Sequence, residues 1–253
     1  MDRQYYAEYY RIEDRHWWFV GRRNVFLRAL DLALEVGGGA AGRKVLDVGC
    51  GTGTMLTHLA RYGETTGLDM DGEAVNYCRE RGHQRVVQIS DPPWPLPDST
   101  FDLVTLLDVL EHADDDVGLL REIRRVAVPG ALVMISVPAY RFLWGPQDVI
   151  SHHRRRYRAR QLREVITGAG LVVERLTYFN SLLFPPIAAL RLVRRLLPAP
   201  RELKSDFTVA AHPLVNGALG WIFSQEKRLV PRLDLPFGVS ILALARTPGI
   251  LQP

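Results

Sequence analysis

The sequence predicts an α/β protein in which a mostly parallel, seven-stranded sheet is covered by helices on both faces. Three observations carry this expectation. Short β-branched runs alternate with helical stretches from Lys44 onward. Glycines and a Pro-Gly pair punctuate the alternation. Hydrophobic residues make up 47% of the 253, enough to fill one sizeable core.

Strands are expected at 44–48, 65–69, 86–89, 101–107 and 131–137, with helices near 54–62, 72–81 and 117–127. In the last helix Leu119, Ile123 and Val126 share one face at three- and four-residue spacing, so that face should pack on the sheet. Gly63, Gly82 and Pro129-Gly130 supply the stops. After Val137 the alternation breaks into a long polar-aromatic stretch, 138–157, followed by a helix at about 159–169. Connections of that length are usually functional or mobile. Two further strands, 171–178 and 238–245, flank an insertion rich in leucine, proline and arginine at 179–236. The amino-terminal residues 1–36 read as helical and carry Tyr5, Tyr6, Tyr9, Tyr10, Trp17, Trp18 and Phe19, an aromatic density that implies a packed cap. One domain, 1–253, therefore comprises a cap (1–36), a ligand-binding core (44–137), a lid (138–160) and a helical insertion (179–236).

Composition excludes several classes. Met1 to Arg15 lacks the basic start and apolar stretch of an export signal. The apolar runs 182–190 and 235–245 fall short of the roughly 20 residues needed to span a bilayer. Cys50 and Cys78 form neither a disulfide framework nor a zinc motif, so a reducing cytoplasm and no metal are expected. The net charge of +4 is modest, but arginines cluster at 154, 155, 156, 158 and 160 and again at 191, 194, 195 and 201. Each cluster is either a solvated face or a local anion site.

The most informative segment is Val45-Leu46-Asp47-Val48-Gly49-Cys50-Gly51-Thr52-Gly53, a strand turning through alternate glycines into a helix. Glycine there permits positive φ and close approach of a ligand. A dinucleotide fingerprint read from Gly49 would place its last glycine at position 54, which is Thr54, and this argues against an NAD-dependent oxidoreductase. Asp69 ends the next strand, where a carboxylate can accept both ribose hydroxyls or can cap the following helix. Met70, beside it, offers a polarizable thioether to an aromatic ring.

The GxGxG spacing resembles the first motif of S-adenosylmethionine (SAM)-dependent methyltransferases. The stretches Pro95-Leu96-Pro97-Asp98-Ser99-Thr100-Phe101-Asp102 and Asp108-Val109-Leu110-Glu111-His112 resemble the LPxxDxSFD and DVLEH segments of the class I family that includes ubiquinone and menaquinone biosynthesis methyltransferases. The resemblance covers roughly 44–137. It implies a Rossmann-like sheet whose last strand is antiparallel, SAM as cofactor, and a cofactor site built from Asp47, Gly49, Cys50, Gly51, Gly53, Asp69, Met70, Ser90, Asp91 and Asp108. One departure is that many relatives are acidic at the position of Ser90, whereas here the acid stands at Asp91. The start His16-Trp17-Trp18-Phe19 and the stretch Trp144 to Tyr157 resemble the HWWF and WxxxD…HxRRY segments of a bacterial subgroup.

Candidate bases are His153 and His112, each with a surface or capping role as the alternative; Tyr157 is a candidate for catalysis or for structural support. The amphipathic, basic stretch 182–197 suits either a membrane interface or a packed surface, on the domain or in a homodimer. The acceptor is expected to be a small molecule or a lipid-linked saccharide, with oxygen or nitrogen taking the methyl. Nucleic acid is not expected, since no basic recognition domain appears. A non-catalytic SAM-binding partner or regulator is the alternative to an enzyme.

Overall fold

The strands are β1 (Lys44–Val48), β2 (Glu64–Asp69), β3 (Val86–Gln88), β4 (Phe101–Leu107), β5 (Ala127–Pro138), β6 (Val172–Phe179) and β7 (Ser240–Arg246), in a computed structural model that describes residues 4–35, 42–196, 212–230 and 232–249. They form one sheet in the order β3-β2-β1-β4-β5-β7-β6. The first five pair in parallel, and β7 runs antiparallel to both β5 and β6, as expected for the last strand. β1 lies between β2 and β4, which is why Val45 and Leu46 are both fully buried and the run reads as continuously apolar.

The side-chain alternation divides the core cleanly. Leu46, Val104, Leu106, Val133, Ile135, Ile241 and Ala243 point to one face, where α5 (Asp116–Val126) and α7 (Ala159–Gly168) cover them with Leu120, Ile123, Val126, Leu162 and Ile166. Val45, Leu103, Leu132, Met134, Leu242 and Leu244 point to the other, against Val25, Phe26 and Leu30 of α2 (Trp17–Glu35) and Phe223 of α9 (Pro213–Gln225). On α5 the fully buried position is Leu120; Leu119 sits on the shoulder and is only partly covered.

The amino-terminal cap is α1 (Gln4–Ile12) followed by α2. Close approach of α2 and α9 depends on Gly21, where a Cβ would come within 2.2 Å of the Phe223 ring. The remaining helices are α3 (Thr54–Leu59), α4 (Gly72–Glu80), α6 (Pro146–Ile150) and α8 (Phe184–Arg195).

Two expectations are corrected. The Pro129-Gly130 pair lies inside β5 and does not stop it: Ala127 pairs with Phe101, the register then slips before Leu103 meets Leu132, and Gly130 takes φ +80 within that irregularity. The stretch after β5 is also not a bare loop. Ala139 bridges to Tyr157, a tight turn spans Arg141–Leu143, and α6 follows. Of the insertion, residues 197–211 lie outside the described residues, including Leu197 and Arg201.

Candidate functional site

The carboxyl ends of β1, β2, β4 and β5 open into one cleft of about 1220 Å³, lined also by α2, α6 and α8. This is larger than the roughly 300–1,000 Å³ typical of a single small-molecule pocket, so it has room for two ligands side by side.

The glycine turn forms one wall. Gly49 and Cys50 both donate to the Leu68 carbonyl, at 2.7 and 2.9 Å, which ties the turn to β2. Gly49 has φ +69, and a Cβ there would meet Val109 at 2.3 Å. Gly51 has φ +55 and open space where a Cβ would stand. Backbone can therefore be approached closely at this point, which a side chain would prevent.

Asp69 accepts the Gly51 N–H at 2.8 Å on one oxygen and the Asp71 N–H at 3.0 Å on the other. Each oxygen keeps a second lone pair for a partner in the cleft. Burial is the main influence raising its carboxyl above the usual carboxylate range. Asp47, only 2% exposed, accepts the Thr105 hydroxyl at 2.6 Å, and burial pushes it up to about 7. Met70 stands at the lip, 59% exposed, and the exposed Ser90 and Asp91 line the same edge.

Asp108 adopts φ +56 at the end of β4, accepts the Ser136 hydroxyl at 3.0 Å and forms an ion pair with Arg22 of α2. Farther along lies a cluster of Glu111, His112 and His153. The two imidazoles meet edge to face at 4.8 Å between centroids. His153 Nδ1 lies 2.9 Å from Asp148 Oδ1, and its Nε2 lies 3.7 Å from Glu111 Oε1. Asp148 is fully buried and also receives Arg156 at 2.7 and 2.9 Å and the Gly145 N–H at 2.7 Å. Burial alone would raise its pKa, but His153 and Arg156 outweigh it and hold the carboxyl at about 2. An ionised Asp148 fixes the proton of His153 on Nδ1 and leaves Nε2 as the acceptor facing the cleft. Burial lowers His112 to about 4, with His153 adding to the effect.

Residues 46–135 match the family model described as a methyltransferase domain. A ubiquinone biosynthesis O-methyltransferase of Sodalis glossinidius is 38% identical over 117 residues, 42% of this chain and 46% of that protein. The chain thus spans about half the length of the relatives it matches. Over residues 46–135 the chain is thus similar to methyltransferase domains. Among solved structures, a chain of the complex between the Haloferax volcanii Trm112 methyltransferase activator and a methyltransferase superposes with a TM-score of 0.60 at 22% identity, covering 99% of this chain and 97% of that one. The [4+2]-cyclase SpnF superposes with a TM-score of 0.55 at 25% identity, covering 88% of this chain and 81% of that one. The fold therefore also serves a chemistry named differently from methyl transfer, and function has to be argued from the site.

Of the residues expected to form a site, Asp47, Gly49, Cys50, Gly51, Asp69, Met70, Ser90, Asp91 and Asp108 line this cleft, as do His112 and His153. Gly53 does not reach the cleft; it turns the chain into α3 with φ +87. Tyr157 is not brought to the cleft either. It is buried, and its hydroxyl donates to Asp116 at 2.9 Å, beneath the domain surface that Arg155 also joins.

Sequence reasoning missed four residues around the cleft. Arg22 reaches Asp108 from a helix read only as an aromatic cap. Glu13 accepts the Thr52 hydroxyl and pairs with Arg81 at 2.7 Å, while Arg81 also donates to the Thr52 carbonyl at 2.8 Å and lies 4.4 Å over the Tyr10 ring. These contacts clamp α1 onto the glycine turn. Glu111 is fully buried with neither carboxylate oxygen hydrogen-bonded. Its place in the DVLEH segment was the available signal.

Proposed function

We propose that this chain is a SAM-dependent methyltransferase that alkylates a hydroxyl of a small-molecule acceptor. The observation that carries the reading is the pairing of an adenosyl-shaped wall with a separate, oriented proton acceptor in one cleft. The wall is Gly49, Gly51 and Asp69; the acceptor is His153.

The residues present fit the cofactor. Open space at Gly51 admits a nucleoside against the backbone, and the two free lone pairs of Asp69 suit a ribose diol. Asp47 offers a carboxylate at the cleft floor for a cationic amino group, and Met70 offers its thioether to the adenine ring. When bound, SAM supplies an activated methyl group on a sulfonium. The chain has two tasks left, to hold the acceptor in line and to take up a proton. Positioning of this kind supplies up to about 7–11 kcal/mol in favourable intramolecular models. His153 Nε2, aimed by Asp148, takes the proton from the acceptor hydroxyl.

The cleft is also lined by Leu183, Pro186, Ile187 and Leu190 and by Arg191 and Arg194. This favours an acceptor with an apolar body and an anionic group, a description that a lipid-linked saccharide meets. The exposed Leu190, Leu192, Val193 and Leu196 of the α8 region beside Arg194 and Arg195 support contact with an anionic membrane surface as its source. Among the described residues no helix is long and apolar enough to cross a membrane.

The test follows transfer of labelled methyl from SAM to a panel of hydroxylated aromatic and lipid-linked acceptors. We expect transfer to at least one class, and a loss of about 10²–10⁴-fold in kcat for His153→Ala. Cofactor binding without transfer to any of them would favour the binding-only reading.

A further inference from the structure

Glu111, His112 and His153 present three ligand atoms within 4.8 Å of one another, and all three residues line the cleft. Glu111 is the anomaly among them. Its side chain is fully buried, and neither oxygen has a hydrogen-bond partner. Buried polar groups are nearly always paired, and an orphaned carboxylate calls for an occupant.

What faces Glu111 makes the case sharper. Asp148 holds the proton of His153 on Nδ1, so Nε2 turns a lone pair toward Glu111 Oε1 at 3.7 Å. Burial, and after it Asp108, raises the Glu111 carboxyl well above the usual carboxylate range, and a cation in place of its proton would join Nε2, the carboxylate and a second nitrogen from His112. Such a set is stable around something that accepts lone pairs.

We propose that Glu111, His112 and His153 bind a divalent first-row transition-metal cation. Two imidazoles and one carboxylate are a donor set suited to such ions, whereas magnesium and calcium favour oxygen ligands. Bond lengths of about 2.0–2.2 Å at a tetrahedral angle put neighbouring donors about 3.4 Å apart, close to the 3.7 Å between His153 and Glu111. The full set closes on a cation with side-chain movements of about 1 Å. Asp148 completes the arrangement. A carboxylate on the far nitrogen of a ligating histidine is the usual outer partner that fixes tautomer and ring orientation, and Asp148 is itself locked by Arg156 and the Gly145 N–H.

Three protein ligands leave an open position toward the cleft. This inference rests on the methyltransferase reading and replaces its base: with the cation bound, the Nε2 lone pair of His153 is a ligand and takes no proton, and an acceptor hydroxyl at the open position would be acidified by the cation, its proton passing to solvent at the cleft mouth. The remaining charges around Glu111 are Asp108, Asp148 and Arg156.

The experiment titrates tag-free, chelator-stripped protein with Co²⁺, followed by its visible absorption, and with Zn²⁺ in competition. We expect one Co²⁺ per chain, displaced by Zn²⁺, with affinity lowered at least about tenfold in Glu111→Gln, His112→Ala and the outer-partner variant Asp148→Asn. S-adenosylhomocysteine binding by each metal-free variant verifies its fold and tests the cofactor site independently. Absence of stoichiometric Co²⁺ binding by the wild type, or binding undiminished in Glu111→Gln and His112→Ala, overturns the proposal. Should Glu111→Gln fail to fold, His112→Ala, altered at a half-buried position, carries the same decision.

Discussion

Arg22, in the first turns of α2, forms an ion pair with Asp108 at the end of β4, and both side chains are largely shielded from solvent, at 18% and 23% exposed. The pair ties the amino-terminal cap to the floor of the cleft, and Ser136 shares the same carboxylate. Its burial lies between that of a surface pair, worth about 0–1 kcal/mol, and a buried one, where losing a partner costs about 3–5 kcal/mol. Arg22→Met is therefore expected to lower unfolding stability by about 1–2 kcal/mol in a urea titration. A double-mutant cycle with Asp108→Asn should return a coupling near 1 kcal/mol. Additive effects would show that the two residues act separately.

Asp47 makes the protein pH-sensitive in a definite direction. Its carboxyl titrates near pH 7 in the folded chain, because of burial, against about 3.9 when unfolded. Between those values the folded state holds a proton that the unfolded state does not. This contribution to stability is full below about pH 4 and is lost as the pH rises through 7. It should appear as the difference between wild type and Asp47→Asn in ligand-free unfolding. A cationic amino group arriving at Asp47 displaces that proton, so SAM affinity should climb with pH up to about 7 and then level. Titrations in two buffers of different ionisation enthalpy detect the released proton; a pH-independent affinity would contradict the placement.

Gly21 shows how tightly α9 rests on the cap. Replacing it with alanine gains about 1 kcal/mol of helix propensity, yet drives a methyl into the buried Phe223 ring. Overpacking of this sort costs about 1–3 kcal/mol, so the net effect should be a lower Tm for Gly21→Ala. An unchanged or raised Tm would mean that the helices are not in contact there.

The apolar outer faces of α8 and α9 also predict a measurable behaviour. Leu192, Val193 and Leu196 are exposed beside Arg194 and Arg195, and Leu214 and Trp221 are exposed on α9. Co-sedimentation with anionic vesicles is expected, with the paired change Leu192→Ser and Leu196→Ser weakening it about tenfold, or 1.4 kcal/mol. Failure to bind anionic vesicles, together with a stable dimer by sedimentation, would assign the surface to a second copy instead.

Much of this was legible in the sequence, for physical reasons that differ by element. β1, β4 and β5 were readable as apolar runs, β2 from its paired threonines and closing aspartate, and β1 and β4 match their expected bounds. The glycine turn was readable because backbone geometry and close approach restrict residue choice at Gly49 and Gly51. What was not legible depends on distant contact. Periodicity carries no sign that Arg22 meets Asp108, that Glu13 and Arg81 clamp Thr52, or that His153 turns back to Glu111. Of the two roles open to Tyr157, its contacts are those of structural support. Its neighbourhood of arginines suggested chemistry, whereas its hydroxyl is taken by Asp116. The continuation of β5 through Pro129-Gly130 escaped because a turn dipeptide can equally mark an irregular strand.

The central claim is that the glycine turn and Asp69 grip an adenosyl ligand, and calorimetric titration of the purified, folded chain with S-adenosylhomocysteine tests it most directly. The account predicts binding of one molecule per chain, weakened by about 2 kcal/mol or more, some thirtyfold, in Asp69→Ala, since two hydroxyl contacts to a charged group are lost. No heat with the wild type, or equal affinity in Asp69→Ala, would contradict it.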